Sequence, residues 1–166
     1  MNVANRQDFL ACLDQYDDRN GLEVFAHAKR HLLTAVGEVA FDDFGGHDYE
    51  VVGRLAETLH EHDSDAALWG MVFIDLWYCS NFGGRHWSEL VARDPANIRY
   101  AIQAAHWVFA MSGANGGPAL AAILNPCCCW GVAEEYVSQH SDDRLRGWWA
   151  ASVVPLRERG ITSRCT

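Results

Sequence analysis

Apolar residues recur along the chain at the three- and four-residue spacing of amphipathic helices, and no segment shows the alternation typical of a strand. We therefore predict an all-α fold over residues 1–166, as one compact domain. It should be a helical bundle of about seven to nine helices, with helical-hairpin, repeat-like packing as a variant. The predicted helices lie at residues 5–18, 21–42, 48–62, 65–79, 86–93, 97–112, 117–124, 126–140 and 142–158.

Two of these segments are apolar on nearly all sides, at residues 66–79 and 98–111. A helix without a polar face is buried by its neighbours, so both are predicted to lie at the centre of the bundle. Trp77 and Trp107 belong to these segments. Their replacement with alanine is therefore expected to cost about 3–5 kcal/mol each.

Two serines are predicted to begin helices. Ser64 precedes Asp65, and Ser141 precedes Asp142 and Asp143. A serine hydroxyl can accept a hydrogen bond from a free amide of the first turn, and acidic residues in that turn interact favourably with the helix dipole.

The composition is that of a globular protein, with 49% apolar and 21% charged residues. A formal charge of -9 argues against nucleic-acid binding, which requires a basic face. The N-terminal residues lack the apolar core of a signal peptide, and the longest apolar run is too short to cross a bilayer. We therefore expect a cytoplasmic protein with no membrane or nucleic-acid partner, whose 6 cysteines are thiols and not a disulfide framework.

Three consecutive cysteines are the most unusual motif in the chain. Asn125 and Pro126 suit the N-cap and first position of a helix, which would place Cys127 and Cys128 in its first turn. The helix dipole lowers the pKa of a thiol there, so either residue could be a reactive thiolate. The alternative is that these two and Cys129 pack as small apolar side chains. A zinc site is less favoured, because no cysteine pair has the usual spacing.

Two sets of residues could hold a metal. Glu23, His27 and His31 follow one another at four-residue spacing and would share one helix face. The helical wheel places both histidines away from the apolar stripe, which predicts solvated side chains. Glu57 and His60 match one element of a di-iron bundle, but the second element is missing. We therefore expect no cofactor and no stoichiometric metal.

Asp75 and His106 are ionisable residues inside the two most apolar segments. A buried carboxylate must be paired, hydrogen-bonded or neutral. The pair could act as an acid and a base in an internal pocket lined by Trp69, Trp77 and Trp107. Alternatively, both residues have structural partners, an arginine for Asp75 and a backbone carbonyl for His106.

Acidic residues cluster at the predicted helix ends. Capping explains some of them, but not the two aspartate pairs near predicted helix C-termini, where negative charge is unfavourable. The ordinary explanation is that they belong to a solvated surface. The alternative is that they form a docking face for a basic protein. The candidate docking residues are Asp17, Asp18, Asp42, Asp43, Asp63 and Asp65.

Three classes of function follow from these features. The favoured one is a small acidic binding protein, most concretely a bacterial immunity or antitoxin protein that neutralises a basic, nuclease-like partner. The second is a small-molecule enzyme that uses Asp75 and His106 or a thiol at Cys127 or Cys128. The third is a structural helical module.

Overall fold

A computed structural model describes residues 3–15, 23–38, 48–79, 82 and 84–158. Every regular element within these ranges is helical, which confirms the prediction of an all-α fold. The elements are α1 (Val3–Gln15), α2 (Glu23–Glu38), α3 (Asp48–Glu61), α4 (Asp65–Cys79), α5 (Gly84–Arg93), a 3-10 turn (Pro95–Asn97), α6 (Ile98–Ser112), α7 (Gly117–Cys127), α8 (Trp130–Gln139), α9 (Asp143–Ser152) and α10 (Val154–Glu158).

The helix starts show which predicted caps are correct. The Ser64 hydroxyl accepts a hydrogen bond from the Ala67 amide at 3.1 Å, so Ser64 caps α4 as predicted. The prediction for Ser141 is wrong by one residue. Asp142 is the N-cap of α9, because its carboxylate accepts from the Arg144 amide at 2.9 Å.

The predicted helix over residues 142–158 is two helices in the structure. The break falls at Val153, whose amide donates to the Trp149 carbonyl and whose own carbonyl accepts from Leu156. Pro155 explains the interruption, since proline has no amide hydrogen to continue the helical ladder.

Contacts divide the chain into two compact units, a first unit (Met1–Cys79) and a second unit (Ser80–Thr166). Each unit has buried apolar residues of its own. The expectation that residues 1–166 form one domain stays a prediction.

The first unit is built around α4, which packs against α2 and α3, while α1 packs against α3. Gly70 of α4 lies where an added side chain would press against two leucines. An added Cβ would come within 3.0 Å of the Cδ1 atoms of both Leu32 and Leu59. The glycine therefore lets α4 approach α2 and α3 closely, and Phe73 packs edge-on against Phe25 beside it.

The second unit is built around α6, which contacts α5, α7, α8 and α9. Its buried face includes Ala101, Ala104 and Ala105 as well as larger residues. Because alanine side chains are small, neighbouring helices can approach α6 closely. The apolar segments predicted to be central are thus the inner helices of their respective units.

Two tryptophans of these inner helices are less buried than predicted. Trp77 and Trp107 are both half-buried, so the expected cost of 3–5 kcal/mol for their loss rests on a burial that neither has. The fully enclosed tryptophan is Trp87 of α5, which is 0% exposed. It lies in a short amphipathic helix that the sequence does not mark as central.

Candidate functional site

The negative charge of the protein is concentrated in one of its two units. The first unit contains fifteen Asp and Glu against five Lys and Arg, a formal charge of -10. The second contains seven acidic and eight basic residues, a formal charge of +1. The net negative charge of the chain, -9, therefore comes from the first unit.

Exposed carboxylates mark the connection between α3 and α4. Glu57, Glu61, Asp63 and Asp65 are all exposed, and we call them the acidic segment. Asp63 and Asp65 belong to the predicted docking set, and their role in docking stays a prediction. The other predicted docking residues, at positions 17, 18, 42 and 43, lie outside the described residues.

Two members of the acidic segment are placed against the preferences of an isolated helix. Glu57 and Glu61 are four residues apart in the last turns of α3. Like charges at this spacing repel, and negative charge is unfavourable at a helix C-terminus. Helix stability therefore does not account for these two carboxylates. Asp65, by contrast, lies in the first turn of α4, where negative charge interacts favourably with the helix dipole.

The two histidines of α2 are not solvated, contrary to the helical-wheel prediction. His27 and His31 are half-buried, with ring centroids 4.3 Å and 5.5 Å from Trp69 and 4.5 Å from each other. The prediction failed because the buried face of α2 is wider than its large apolar residues suggest. Ala28 and Ala35 are also buried, which turns the histidine side of the helix toward α4.

The structure does not assemble the proposed metal ligands. Glu23 is exposed, whereas His27 and His31 pack on Trp69. Within the part of the chain that the structure describes, no three His, Cys, Asp or Glu side chains are grouped so as to hold a metal ion. The expectation of a metal-free protein stays a prediction.

The local environment lowers the pKa of His31. Burial is the largest cause, and the neighbouring Arg30 adds to it, while the Asp65 carboxylate opposes both. Burial disfavours the charged imidazolium, so the side chain is held toward its neutral form.

The predicted acid–base residues belong to different units. Asp75 lies in α4 of the first unit and is half-buried, not enclosed as its apolar surroundings in the sequence suggest. His106 lies in α6 of the second unit and is also half-buried. The proposal that they form a catalytic pair stays a prediction.

His106 packs against α9, with its ring centroid 5.5 Å from that of Trp148. Burial lowers its pKa, Asp142 raises it, and Arg144 and His140 lower it further. The net direction is downward, so this imidazole is also held toward its neutral form.

The two lowered pKa values make stability sensitive to mild acid. An unfolded histidine titrates near 6.5, and the folded protein takes up these protons only at lower pH. Acid therefore favours the unfolded state, and the free energy of unfolding should fall as the pH drops from about 7 to 5.

Urea unfolding measures this dependence. Between about pH 7 and 5, the free energy of unfolding of the double variant His31→Asn, His106→Asn should decline less than that of the unmodified protein. The exposed His62→Asn is the control, and an equal flattening there would contradict the assignment.

The three cysteines do not lie where the sequence predicted. Pro126 is inside α7, and that helix ends at Cys127. Cys127 and Cys128 are thus at a helix C-terminus, where the dipole disfavours a thiolate, and the first-turn placement is wrong. Cys128 is exposed and disulfide-bonded, which also corrects the expectation that every cysteine is a thiol. Cys129 is a buried free thiol.

The second unit has two surface pockets whose linings do not include the predicted catalytic residues. One, of about 220 Å³, lies between the start of α6 and α8 and includes Ile98, Val132 and Tyr136. The other, of about 330 Å³, lies between α5 and α7 and includes Val91 and Ile123. Neither supports the enzyme hypothesis, since neither contains an acid, base or nucleophile that the sequence singled out.

Comparison of the chain with protein-family models, curated proteins and solved structures found no match. Among the described helices, none combines the length and the apolar character needed to span a bilayer. Function must therefore be inferred from the residues of this chain alone.

Proposed function

We propose that this protein binds a basic protein partner through its acidic first unit, and that catalysis is not its main role. In its most concrete form, it is an immunity or antitoxin protein that neutralises a basic, nuclease-like toxin. The observation that carries the proposal is the uneven charge, -10 on the first unit against +1 on the second.

Concentrated charge favours binding for a kinetic reason. A surface of one sign attracts a partner of opposite sign during diffusion and raises the association rate, most strongly at low ionic strength. The acidic segment supplies exposed carboxylates on such a surface. Because helix stability does not account for Glu57 and Glu61, the proposal assigns their carboxylates to an interaction outside the helix.

The positions of the candidate catalytic residues support binding over catalysis. Cys128 is not a first-turn thiolate, because it is disulfide-bonded at a helix end. Asp75 and His106 belong to different units. The acidic segment, by contrast, is accessible as it stands.

Neutralising the acidic segment tests the proposal directly. In the triple variant Glu57→Gln, Glu61→Gln, Asp63→Asn, association with a basic partner should slow several-fold at low salt, because steering charge is lost. Candidate partners are the products of adjacent genes and proteins that co-purify with the chain. Stopped-flow or surface plasmon resonance measures the rate, and added salt should slow the unmodified protein in the same direction.

The matched control removes the same charge from the second unit. Glu89→Gln, Glu134→Gln and Glu135→Gln change the net charge equally, yet should affect the rate much less. Equal slowing by both variants would reduce the effect to overall charge and contradict a role for the first unit. If Asp75→Asn or His106→Ala instead abolished a turnover in a folded protein, the enzyme hypothesis would replace this one.

A further inference from the structure

The second unit has a cleft that the proposed function does not use. It lies between the start of α6 and α8, and its volume is about 220 Å³. Pockets for drug-sized ligands are larger, at about 300–1,000 Å³, so a ligand of this cleft must be small. The lining combines an apolar surface with two opposite charges, and it includes Ile98, Val132 and Tyr136 together with Arg99 and Glu135.

The apolar part of the lining is held in place and is accessible. The Tyr136 hydroxyl accepts a hydrogen bond from Gln103 Nε2 at 2.6 Å, which ties the tyrosine of α8 to α6. Ile98 is buried, whereas the Val132 side chain is 46% exposed. A ligand that covers Val132 removes this apolar surface from water, which favours binding.

The two charged residues of the cleft are exposed and are not paired with each other. Arg99 donates from Nη2 to the Tyr100 hydroxyl at 2.8 Å, and its guanidinium carbon lies 4.6 Å from the centroid of the Tyr100 ring. This hydrogen bond uses one of the five N–H donors of the arginine side chain. Within the part of the chain that the structure describes, neither Arg99 nor Glu135 forms an ion pair. Both charges are therefore available to a ligand.

Two opposite charges beside an apolar surface match one class of small molecule. We propose that the cleft binds a free α-amino acid with an apolar side chain. The Arg99 guanidinium holds the carboxylate of the ligand, to which it can donate two parallel hydrogen bonds, and Glu135 accepts from the ammonium group. The side chain of the ligand lies against Val132 and Tyr136.

The charge of the ligand follows from the pair of residues. A simple carboxylic acid would pair with Arg99 but would place a second negative charge near Glu135. A simple amine would pair with Glu135 but would place a second positive charge near Arg99. A zwitterion satisfies both residues at once.

Binding is tested with L-phenylalanine in two-dimensional proton–nitrogen NMR spectra of the whole protein. Its addition should shift the amide signals of Ile98, Val132 and Tyr136 in a saturable way, with a Kd in the millimolar range. Two analogues separate the charges, because 3-phenylpropanoate lacks the ammonium group and phenethylamine lacks the carboxylate. Each should bind about five-fold more weakly, the upper range for the loss of an exposed ion pair. The absence of saturable shifts at these residues, or equal affinity for either analogue, would overturn the proposal.

Two substitutions assign each charge of the ligand to its residue. Arg99→Gln should weaken the binding of phenylalanine about five-fold but should not weaken that of phenethylamine, which has no carboxylate. Glu135→Gln should weaken phenylalanine equally but should not weaken 3-phenylpropanoate, which has no ammonium group. The controls are Arg85→Gln and Glu89→Gln, which remove the same side chains from α5, outside the cleft. A loss of affinity in the controls, or an equal loss for all three ligands in a cleft variant, would contradict the assignment.

Discussion

Replacing Trp87 with alanine is expected to lower the free energy of unfolding by about 3–5 kcal/mol, the usual cost of deleting a large aromatic from a core. Trp87 is 0% exposed, and its ring stacks with that of Phe82 at a centroid distance of 6.4 Å. It lies in α5, which packs against α7 within the second unit. Urea unfolding followed by far-UV circular dichroism measures the loss.

The same unit provides a matched control for this substitution. Trp107→Ala deletes the same side chain from α6, but Trp107 is half-buried and should cost clearly less. If Trp87→Ala fails to fold, Trp87→Phe keeps most of the buried area and should remain measurable. If Trp107→Ala lowered the free energy of unfolding more than Trp87→Ala, the burial of Trp87 in α5 would be contradicted.

Gly117→Ala is expected to destabilise the second unit by about 1–3 kcal/mol, the range found when a core is overpacked. An added Cβ at Gly117 would lie 2.4 Å from the Ser152 carbonyl oxygen, closer than van der Waals contact permits. Because that oxygen belongs to the backbone at the end of α9, rotation of a side chain cannot relieve the clash. The measurement is the midpoint of thermal or urea unfolding.

Gly147→Ala, in the same unit, is expected to change the stability in the opposite direction. Gly147 lies within α9, and nothing is within 4 Å of an added Cβ. Alanine should therefore stabilise by about 0.5–1 kcal/mol, the difference in helix propensity between the two residues. Opposite signs for the two glycines support the close approach of α7 and α9. A stabilising Gly117→Ala would rule it out.

The sequence predicted best where an apolar run is bounded by a capping residue. The predicted helix at 65–79 coincides with α4, because Ser64 caps it and its apolar residues continue to Cys79. The start of α7 was also correct, with Pro118 in the first turn. At these places, local preference and tertiary packing favour the same structure.

The cysteine run shows why a local signal can mislead. Asn125 and Pro126 have the residue types of a helix start, yet they lie in the last turns of α7. The Asn125 side chain does not cap a helix, because it accepts a hydrogen bond from Trp130. The C-cap of α7 is Cys128, a non-glycine residue with positive φ, and the sequence has no recognisable signature for such a cap.

Two features of the candidate site were missed for different reasons. The burial of His27 and His31 depends on Ala28 and Ala35, and alanine contributes little to a hydrophobic pattern. The charge asymmetry needed no structure, since counting acids and bases on either side of Cys79 would have found it. The sequence has no linker near Cys79 that would suggest a division of the chain there.

The concentration of negative charge also affects the first unit itself. A formal charge of -10 on residues 1–79 means that its carboxylates repel one another in the folded state. A cationic partner relieves this repulsion, and any ligand that binds the folded form in preference to the unfolded form stabilises it. The charge that would attract the proposed partner thus also lowers the stability of the first unit. If the proposal is correct, the bound partner would act as a counter-ion to the first unit, and association would stabilise its folded form.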